Sequence, residues 1–418
     1  MTKRKLVPFL ALLVVFSLVF LWYSSIVQKT WPDLPQRIGL GDHFGGHPSE
    51  NTDEGGSWKS DHKDPDYVNW NPKPDYKPGS PMPGNHNFTT VLVITKTKEE
   101  DVSWMDKKLP DTASFKKAIY VADDPSAPLH PPKNKGHEVM VYLSWIIDNY
   151  DNLPDVAVFM HAHERTWHND DILNNNAADL VKRLSRPRVW REGYVNMRCS
   201  WYPGCPDWMH PGETEENVYK QEEVLLAKSW SELFPLDEVP SVLAQPCCAQ
   251  FALSRERIQA KPHAQYVWYR NWLFSTKLPD FLSGRIWEYV WQFVFTGDNV
   301  YCPKENVCFC DQFGSCFGGE HEYDEFMKVK RELDDRQGDL NHWDDLQRAI
   351  DEANEEGRPD EVAQLEIPEA GKDEEFKKEI ERLRPIVDKL KDEAIERGKD
   401  PKNRAKEAGR EWHEGDGF

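Results

Sequence analysis

The stretch Val156-Ala157-Val158-Phe159-Met160-His161-Ala162-His163 decides the fold, because it joins an apolar strand to a cluster of polar side chains. The five apolar residues that open it are typical of a strand buried on both faces of a sheet. In open α/β sheets, ligands bind beyond the carboxyl ends of the strands. His161 and His163 stand where this strand ends, and on an extended backbone their imidazoles point to the same side. The stretch therefore predicts an α/β core with a site at the edge of its sheet.

The segments around this strand extend the prediction to a whole domain. Residues 90–95 are rich in β-branched residues and predict a first strand, and residues 117–122 predict a second. Residues 137–150 carry apolar side chains at helical spacing. Strands joined through a helix by short links are typical of βαβ units. Further strands are predicted at residues 193–199 and 247–253. The predicted fold is an α/β domain with a single mixed or mostly parallel sheet and flanking helices.

The N-terminus predicts attachment to a membrane. Residues 6–27 contain no charged side chain, a length sufficient to cross a bilayer, and Lys3, Arg4 and Lys5 precede them. The positive-inside rule places residues 1–5 in the cytosol, which makes the chain a single-pass type II membrane protein. A cleavable signal peptide is the alternative. The length of the apolar run and its end at bulky residues favour a signal anchor.

Composition divides the rest of the chain into three parts. Residues 28–87 are rich in Pro, Gly, Asp and His and predict a disordered stem, and residues 88–318 form the lumenal domain. Residues 319–418 predict an acidic helical or partly disordered tail, with helix breaks near 357–359 and 384–385. From residue 320 onward there are 32 acidic and 19 basic residues, within a formal net charge of −20. This balance excludes nucleic acid as the main partner.

The eight cysteines favour an oxidising compartment and disulfide bonds. Cys302, Cys308, Cys310 and Cys316 form a close group for which a zinc site is the alternative, but their spacing matches no common zinc finger. The pairing of the cysteines cannot be read from the sequence. Asn87-Phe88-Thr89 is an N-glycosylation sequon, which a lumenal domain would present to the glycosylation machinery. Together these features predict a Golgi or other secretory-pathway location.

Two pairs of residues are candidate ligands for a divalent metal, manganese or zinc. His161 and His163 supply imidazoles, and Asp123 with Asp124 supplies carboxylates at the end of the second predicted strand. The structural alternative is that the histidines make hydrogen bonds within a loop and that the Asp-Asp-Pro sequence forms a turn.

Other residues are candidates for catalysis and substrate binding. Glu288 lies among aromatic residues, where burial would raise its pKa towards the range of a general acid or base; pairing with an arginine is the structural alternative. His168 and Asp170 follow the histidine cluster and are further catalytic candidates. Asn134, Lys135 and Gly136 precede a helix, whose free amides favour a phosphate. Trp167 is a candidate for stacking on a sugar ring, and a core position is its alternative.

Several motifs resemble an uncharacterised, mainly fungal family known as domain of unknown function 3431. The similarity spans residues 91–317 and is carried by the segments at 134–138, 150–155, 159–163, 167–171, 193–199, 247–251 and 283–289. Arg198 and Gln250 lie within these segments and are included as candidate substrate-binding residues. The resemblance itself implies no activity.

The overall layout is similar to that of type II lumenal glycosyltransferases. By that analogy we expect a glycosyltransferase-like enzyme with a nucleotide-sugar donor and a glycan acceptor. The chain departs from the pattern because His161-Ala162-His163 stands where an Asp-x-Asp motif would follow the strand. A non-catalytic carbohydrate-binding or scaffolding protein is the alternative, and a metal-dependent hydrolase is a second one. No Gly-x-Ser-x-Gly, Walker or dinucleotide motif is present, which disfavours serine hydrolases, kinases and dehydrogenases.

Overall fold

The computed structural model describes residues 74, 76–80, 82–83 and 85–418. The predicted cytosolic tail, the membrane anchor and most of the stem lie outside these residues. None of the helices in the described part combines the length and the hydropathy that a membrane span requires.

Five strands form one mixed sheet, which confirms the predicted fold class. They are β1 (Thr90–Lys96), β2 (Phe115–Val121), β3 (Val156–His161), β4 (Tyr194–Asn196) and β5 (Phe251–Ser254), in the spatial order β2-β1-β3-β5-β4. Strand β1 pairs in parallel with β2 and β3, whereas β5 runs antiparallel to both β3 and β4. The antiparallel pairing brings the start of β5 beside the end of β3. The residues that precede β5 therefore meet the histidine cluster.

Helices cover both faces of the sheet and continue to the C-terminus. They are α1 (Ser103–Lys108), α2 (Val139–Asn149), α3 (Ala177–Arg183), α4 (Arg186–Glu192), α5 (Glu223–Leu233), α6 (Arg255–Gln259), α7 (His263–Ser275), α8 (Asp280–Glu288), α9 (Trp291–Thr296), α10 (Glu305–Val307), α11 (Glu320–Glu355), α12 (Pro359–Val362), α13 (Lys372–Arg397) and α14 (Pro401–Glu407). Helix α2 was expected to bury one face, but residues 139–147 are all buried. The reason is that α2 lies between the sheet and α7.

The central strand β3 is buried on both faces, as its apolar run predicts. Phe159 joins a largely aromatic core on one face, together with side chains of α2, α7 and α8. Val158 and Met160 join an aliphatic core on the other face. The alternation of side chains along a strand produces this division.

The acidic C-terminal helices pack against the aliphatic core. Tyr323 and Phe326 of α11 and Leu383 of α13 are buried in the same cluster as the side chains of β3. The predicted helix break at residues 357–359 is confirmed, since α11 ends at Glu355. The break predicted at residues 384–385 is wrong, because α13 continues through Pro385. Buried side chains on either side of the proline, such as Leu383 and Val387, hold this helix in place.

All eight cysteines are disulfide-bonded, which confirms the disulfide prediction over the zinc alternative. The pairs are Cys199–Cys308, Cys205–Cys302, Cys247–Cys248 and Cys310–Cys316. The first two connect the segment after β4 to the segment after α9. The third joins adjacent residues at the entrance to β5.

Candidate functional site

A cavity of about 530 Å³ lies beyond the end of β3, where the sequence analysis places the site. Its wall includes His161 and His168 from the β3 end, Glu288 from α8 and the Cys247–Cys248 pair before β5. The volume is in the range typical of small-molecule sites. A larger cleft of about 1150 Å³ lies between residues 79–90 and 410–418, and its carboxylates are mostly on the surface. Of these two, only the smaller cavity combines a fully buried acid, Glu222, with the imidazoles of His161 and His168.

Glu288 is held at the cavity wall by one strong hydrogen bond. The Cys248 N–H donates to Glu288 Oε1 at 2.6 Å, and Gln245 Nε2 donates to the Glu288 carbonyl oxygen. Burial, together with the nearby carboxylate of Glu138, raises the pKa of Glu288 to about 7, although the hydrogen bond from Cys248 lowers it. At neutral pH both protonation states are therefore populated. A carboxyl group in that state can give or take a proton.

Two more carboxylates line the cavity. Glu138 precedes α2, and burial raises the pKa of this group to about 7. Glu222 precedes α5, and burial raises its pKa as well, although the Arg285 Nε lies 3.0 Å from Glu222 Oε2. Neither residue was predicted from the sequence as part of a site. A sequence signal existed only for Glu138, which lies in one of the resembling motifs.

The imidazoles of His161 and His168 are neutral at physiological pH. His161 Nε2 donates to the Cys248 carbonyl oxygen at 2.8 Å, so the proton of the neutral ring is on Nε2. Burial lowers the pKa of His161, and burial lowers the pKa of His168 to about 4. The His168 Nδ1 atom is buried without a hydrogen-bond partner among the described residues. The two rings lie 5.1 Å apart between centroids.

The Cys247–Cys248 pair connects the acid Glu288 to the imidazole of His161. Cys248 gives its N–H to Glu288 and its carbonyl oxygen to His161, so one residue fixes both side chains. Cys248 and Ala249 have φ values of 90° and 48°, a region that side-chain-bearing residues rarely adopt. Such backbone outliers cluster at functional sites.

Polar residues behind the cavity set the position of the loop after β3. Arg198 donates to the carbonyl oxygens of Trp167 at 2.7 Å and Tyr202 at 3.0 Å. Gln250 accepts from the His161 N–H at 3.2 Å and donates to Asn169. The structure thus places Arg198 and Gln250, both substrate-binding candidates, behind the cavity rather than in its wall.

Of the three catalytic candidates, the structure brings two to the cavity. Glu288 and His168 line it, whereas Asp170 is buried beneath the loop. Asp170 accepts the N–H groups of Cys199 at 2.6 Å and Ser200 at 3.2 Å, and burial raises its pKa. Through these contacts Asp170 has a structural role, because it joins the loop after β3 to the segment after β4. Trp167, a substrate-binding candidate, stands at the mouth of the cavity.

The structure does not bring the four candidate metal ligands together. Asp123 accepts the Lys98 N–H at 2.7 Å, and Asp124 caps the turn at Ser126. His163 is exposed and lies 3.3 Å from Glu100. Within the described residues, two groups of side chains have potential ligand atoms close enough together to hold a metal ion, and each consists of a glutamate and two cysteines. In both groups the two cysteines form a disulfide, so their sulfurs are not thiolate ligands. The donor set therefore does not fit one metal ion.

The turn before α2 does not offer free amides for a phosphate. Asp280, the first residue of α8, accepts the N–H of Gly136 at 2.5 Å and that of His137 at 3.4 Å. Lys135 donates to the Leu278 carbonyl oxygen instead of facing the cavity. An internal carboxylate thus occupies the position expected for a ligand, while Asn134 lies exposed beside it.

The contact between Asp280 and the turn at Gly136 instead positions α8, the helix that carries Glu288. Gly284 of α8 lies against the turn, since a Cβ at this position would be 2.7 Å from the His137 ring and 3.3 Å from Gly136. A side chain at this position would force the His137 ring and the turn to move, so glycine permits the close approach of α8.

The raised pKa of Glu288 predicts a pH-dependent stability. A buried group with a raised pKa stabilises the fold below its ordinary value of 4.5, and that contribution is lost as the pH rises through about 7. Between pH 5 and pH 8 we expect wild type to lose about 1–3 kcal/mol more unfolding free energy than Glu288→Gln. Urea denaturation of both proteins at each pH measures the difference. Parallel pH profiles would show that the carboxyl group is not destabilised by burial.

Comparisons with known proteins give a family and no activity. A search of curated proteins and a search of solved structures each found no match. A family model matches residues 92–311, which is 220 of the 418 residues and just over half of the chain. These residues include most of β1, all of β2 to β5 and the whole cavity wall. The chain therefore belongs to the family described as protein of unknown function DUF3431.

Proposed function

We propose that this chain is a carbohydrate-active enzyme that transfers a glycosyl group, with Glu288 as the acid–base residue. The observation that carries the proposal is the Glu288 carboxyl group at the wall of a cavity, with a pKa raised to about 7 and a fixed position beside His161. Ionisable groups with perturbed pKa values in a cavity are characteristic of catalytic sites. A glycosyltransferase-like activity on glycans is the form of this chemistry that the layout of the sequence suggests.

In the proposed reaction, Glu288 acts on the acceptor. Its carboxylate takes the proton from an acceptor hydroxyl as the acceptor oxygen forms a bond to the anomeric carbon. The bond from that carbon to the leaving group breaks in the same transfer, and the leaving group keeps the electron pair. The protonated form of Glu288 is suited to protonate a sugar leaving group, which is the requirement when the donor is itself a glycoside. No step is assigned to a metal, because the candidate ligands do not converge.

The test is a product search with purified full-length protein. Nucleotide sugars are combined with neutral oligosaccharide acceptors, with and without manganese, and oligosaccharides alone form a parallel series. Mass spectrometry is expected to show a hexose or N-acetylhexosamine gained by, or lost from, an oligosaccharide. Dependence on a nucleotide sugar supports a glycosyltransferase, and turnover of oligosaccharides alone supports a hydrolase or transglycosidase. If neither product forms, with or without manganese, the proposal is overturned.

The proposed location is the lumen of the secretory pathway, with the chain anchored as a type II membrane protein. Four disulfides in a domain with no unpaired cysteine suit an oxidising compartment. Asn87 of the sequon is exposed. We expect Asn87 to carry an N-glycan, so that endoglycosidase treatment lowers the mass of wild type and leaves Asn87→Gln unchanged. An unglycosylated Asn87 in protein from the native cell would contradict a lumenal domain.

A further inference from the structure

The mouth of the cavity is lined by aromatic side chains that are unusually accessible. Trp167 is 58% exposed and Tyr219 is 82% exposed, and both line the cavity together with Trp208. Tyr202, 77% exposed, packs edge-on against Trp208 at 5.9 Å between centroids. These residues come from the loop after β3 and from the segment between β4 and α5, so separate parts of the chain contribute to one mouth.

Contacts below the mouth hold the rings of Trp167 and Trp208 and the backbone of Tyr219. The Trp167 ring packs on the His168 ring, with 4.3 Å between the ring centroids. The backbone carbonyl oxygen of Trp167 accepts a hydrogen bond from the buried Arg198. Arg285 Nη2 donates to the Tyr219 carbonyl oxygen at 2.8 Å. Lys220 Nζ lies 4.3 Å from the centre of the Trp208 ring. Fixed aromatic surfaces of this kind lose little conformational entropy when a ligand packs on them.

The charges inside the cavity restrict the ligand. Glu138, Glu222 and Glu288 line the cavity; Arg285 lies 3.0 Å from Glu222, whereas Glu138 has only the His137 imidazole beside it as a positive neighbour. Lys220 is directed to Trp208, since it donates to the Trp208 carbonyl oxygen. An anionic ligand would therefore meet uncompensated carboxylates. Hydroxyl groups, in contrast, can donate hydrogen bonds to all three acids.

We propose that the mouth binds an uncharged oligosaccharide, with Trp167 and Tyr219 packing on sugar rings next to the one that reacts. The C–H face of a pyranose carries positive charge density and packs on the negative face of an aromatic ring. This inference rests on the proposed function for the identity of the reacting site. It adds that the substrate is a neutral chain of several sugars rather than a monosaccharide or an acidic glycan.

The experiment measures binding separately from turnover, with the full-length Glu288→Gln protein. Titration calorimetry with gluco- and manno-oligosaccharides of one to six units is expected to show an affinity that rises about tenfold between one and three units in one series, a difference of about 1.4 kcal/mol. Trp167→Ala and Tyr219→Ala should each remove most of that gain. Acidic oligosaccharides of equal length should bind at least tenfold more weakly.

Trp268→Ala is the matched control, because Trp268 is 51% exposed and lines a different groove beside α5 and α7. It should bind like the unsubstituted protein, and thermal unfolding checks that each variant is folded. Trp167→Phe keeps a ring and should retain most of the affinity. Affinity that does not depend on chain length, equal losses in Trp268→Ala, or no binding of any neutral oligosaccharide would each overturn the inference. Length-dependent binding together with no turnover by wild type would contradict the proposed function alone.

Discussion

Glu288→Gln is expected to lower the turnover number by about 10²–10⁴-fold, because the acceptor proton then has no base to receive it. Glutamine keeps an oxygen for the Cys248 N–H, so the position of the side chain and the affinity for substrate should change little. The rate of wild type should rise with pH around 7, where Glu288 ionises, and the variant should lose that dependence. Steady-state kinetics on the substrate found in the product search measures both effects.

Glu407→Gln provides the control for Glu288→Gln. Glu407 is also half-buried with a pKa raised by burial, but it accepts the Gly318 N–H at 3.0 Å, outside the cavity. Its replacement should leave turnover and the pH–rate profile unchanged. Equal rates for wild type and Glu288→Gln would remove Glu288 from the mechanism, whatever the reaction is.

Removal of the Cys199–Cys308 disulfide, by the double change Cys199→Ser and Cys308→Ser, is expected to cost about 3 kcal/mol of unfolding free energy. The bond joins residues 109 positions apart, but the Cys205–Cys302 bond closes most of that span, so its loss releases a loop of only about 14 residues in the unfolded chain. Both cysteines are buried in the aliphatic core. Urea denaturation measures the loss, provided that the slope of unfolding free energy against urea concentration is the same in both proteins.

The Cys310–Cys316 bond is the internal comparison, since it spans only six positions. Its removal should cost about 2 kcal/mol by the same argument. If the Cys310–Cys316 variant loses more stability than the Cys199–Cys308 variant, loop entropy does not govern these disulfides. The predicted difference is independent of the function.

The sequence predicts the sheet well because the signals for its strands are local. The apolar run 156–160 and the β-branched run 90–95 became β3 and β1. The strand predicted at 247–253 begins only at Phe251, since Cys247 to Ala249 form the disulfide turn. Two adjacent cysteines do not reveal from sequence whether they bond to each other. The packing of the acidic tail was also not predictable, because sparse apolar residues such as Phe326 and Leu383 gain their burial from distant segments.

The site was predictable in part for the same reason. His161, His168 and Glu288 stood out as ionisable residues beside apolar runs, and the structure places all three at one cavity. Glu138 and Glu222 were missed, because their proximity depends on how α2 and α5 approach the end of β3. The turn at Gly136 has the pattern of a phosphate site, but a carboxylate 144 positions away satisfies its amides. Long-range partners of this kind leave no local pattern.

Disulfides usually both stabilise the whole fold and fix the local backbone, and the Cys247–Cys248 bond does mainly the second. A bond between adjacent residues encloses no chain segment, so it restricts the unfolded ensemble very little and adds little to global stability. Its effect is confined to one peptide unit, which carries the donor for Glu288 and the acceptor for His161. The redox state of this pair therefore bears on the protonation chemistry of the cavity, while the Cys199–Cys308 and Cys205–Cys302 bonds maintain the fold independently.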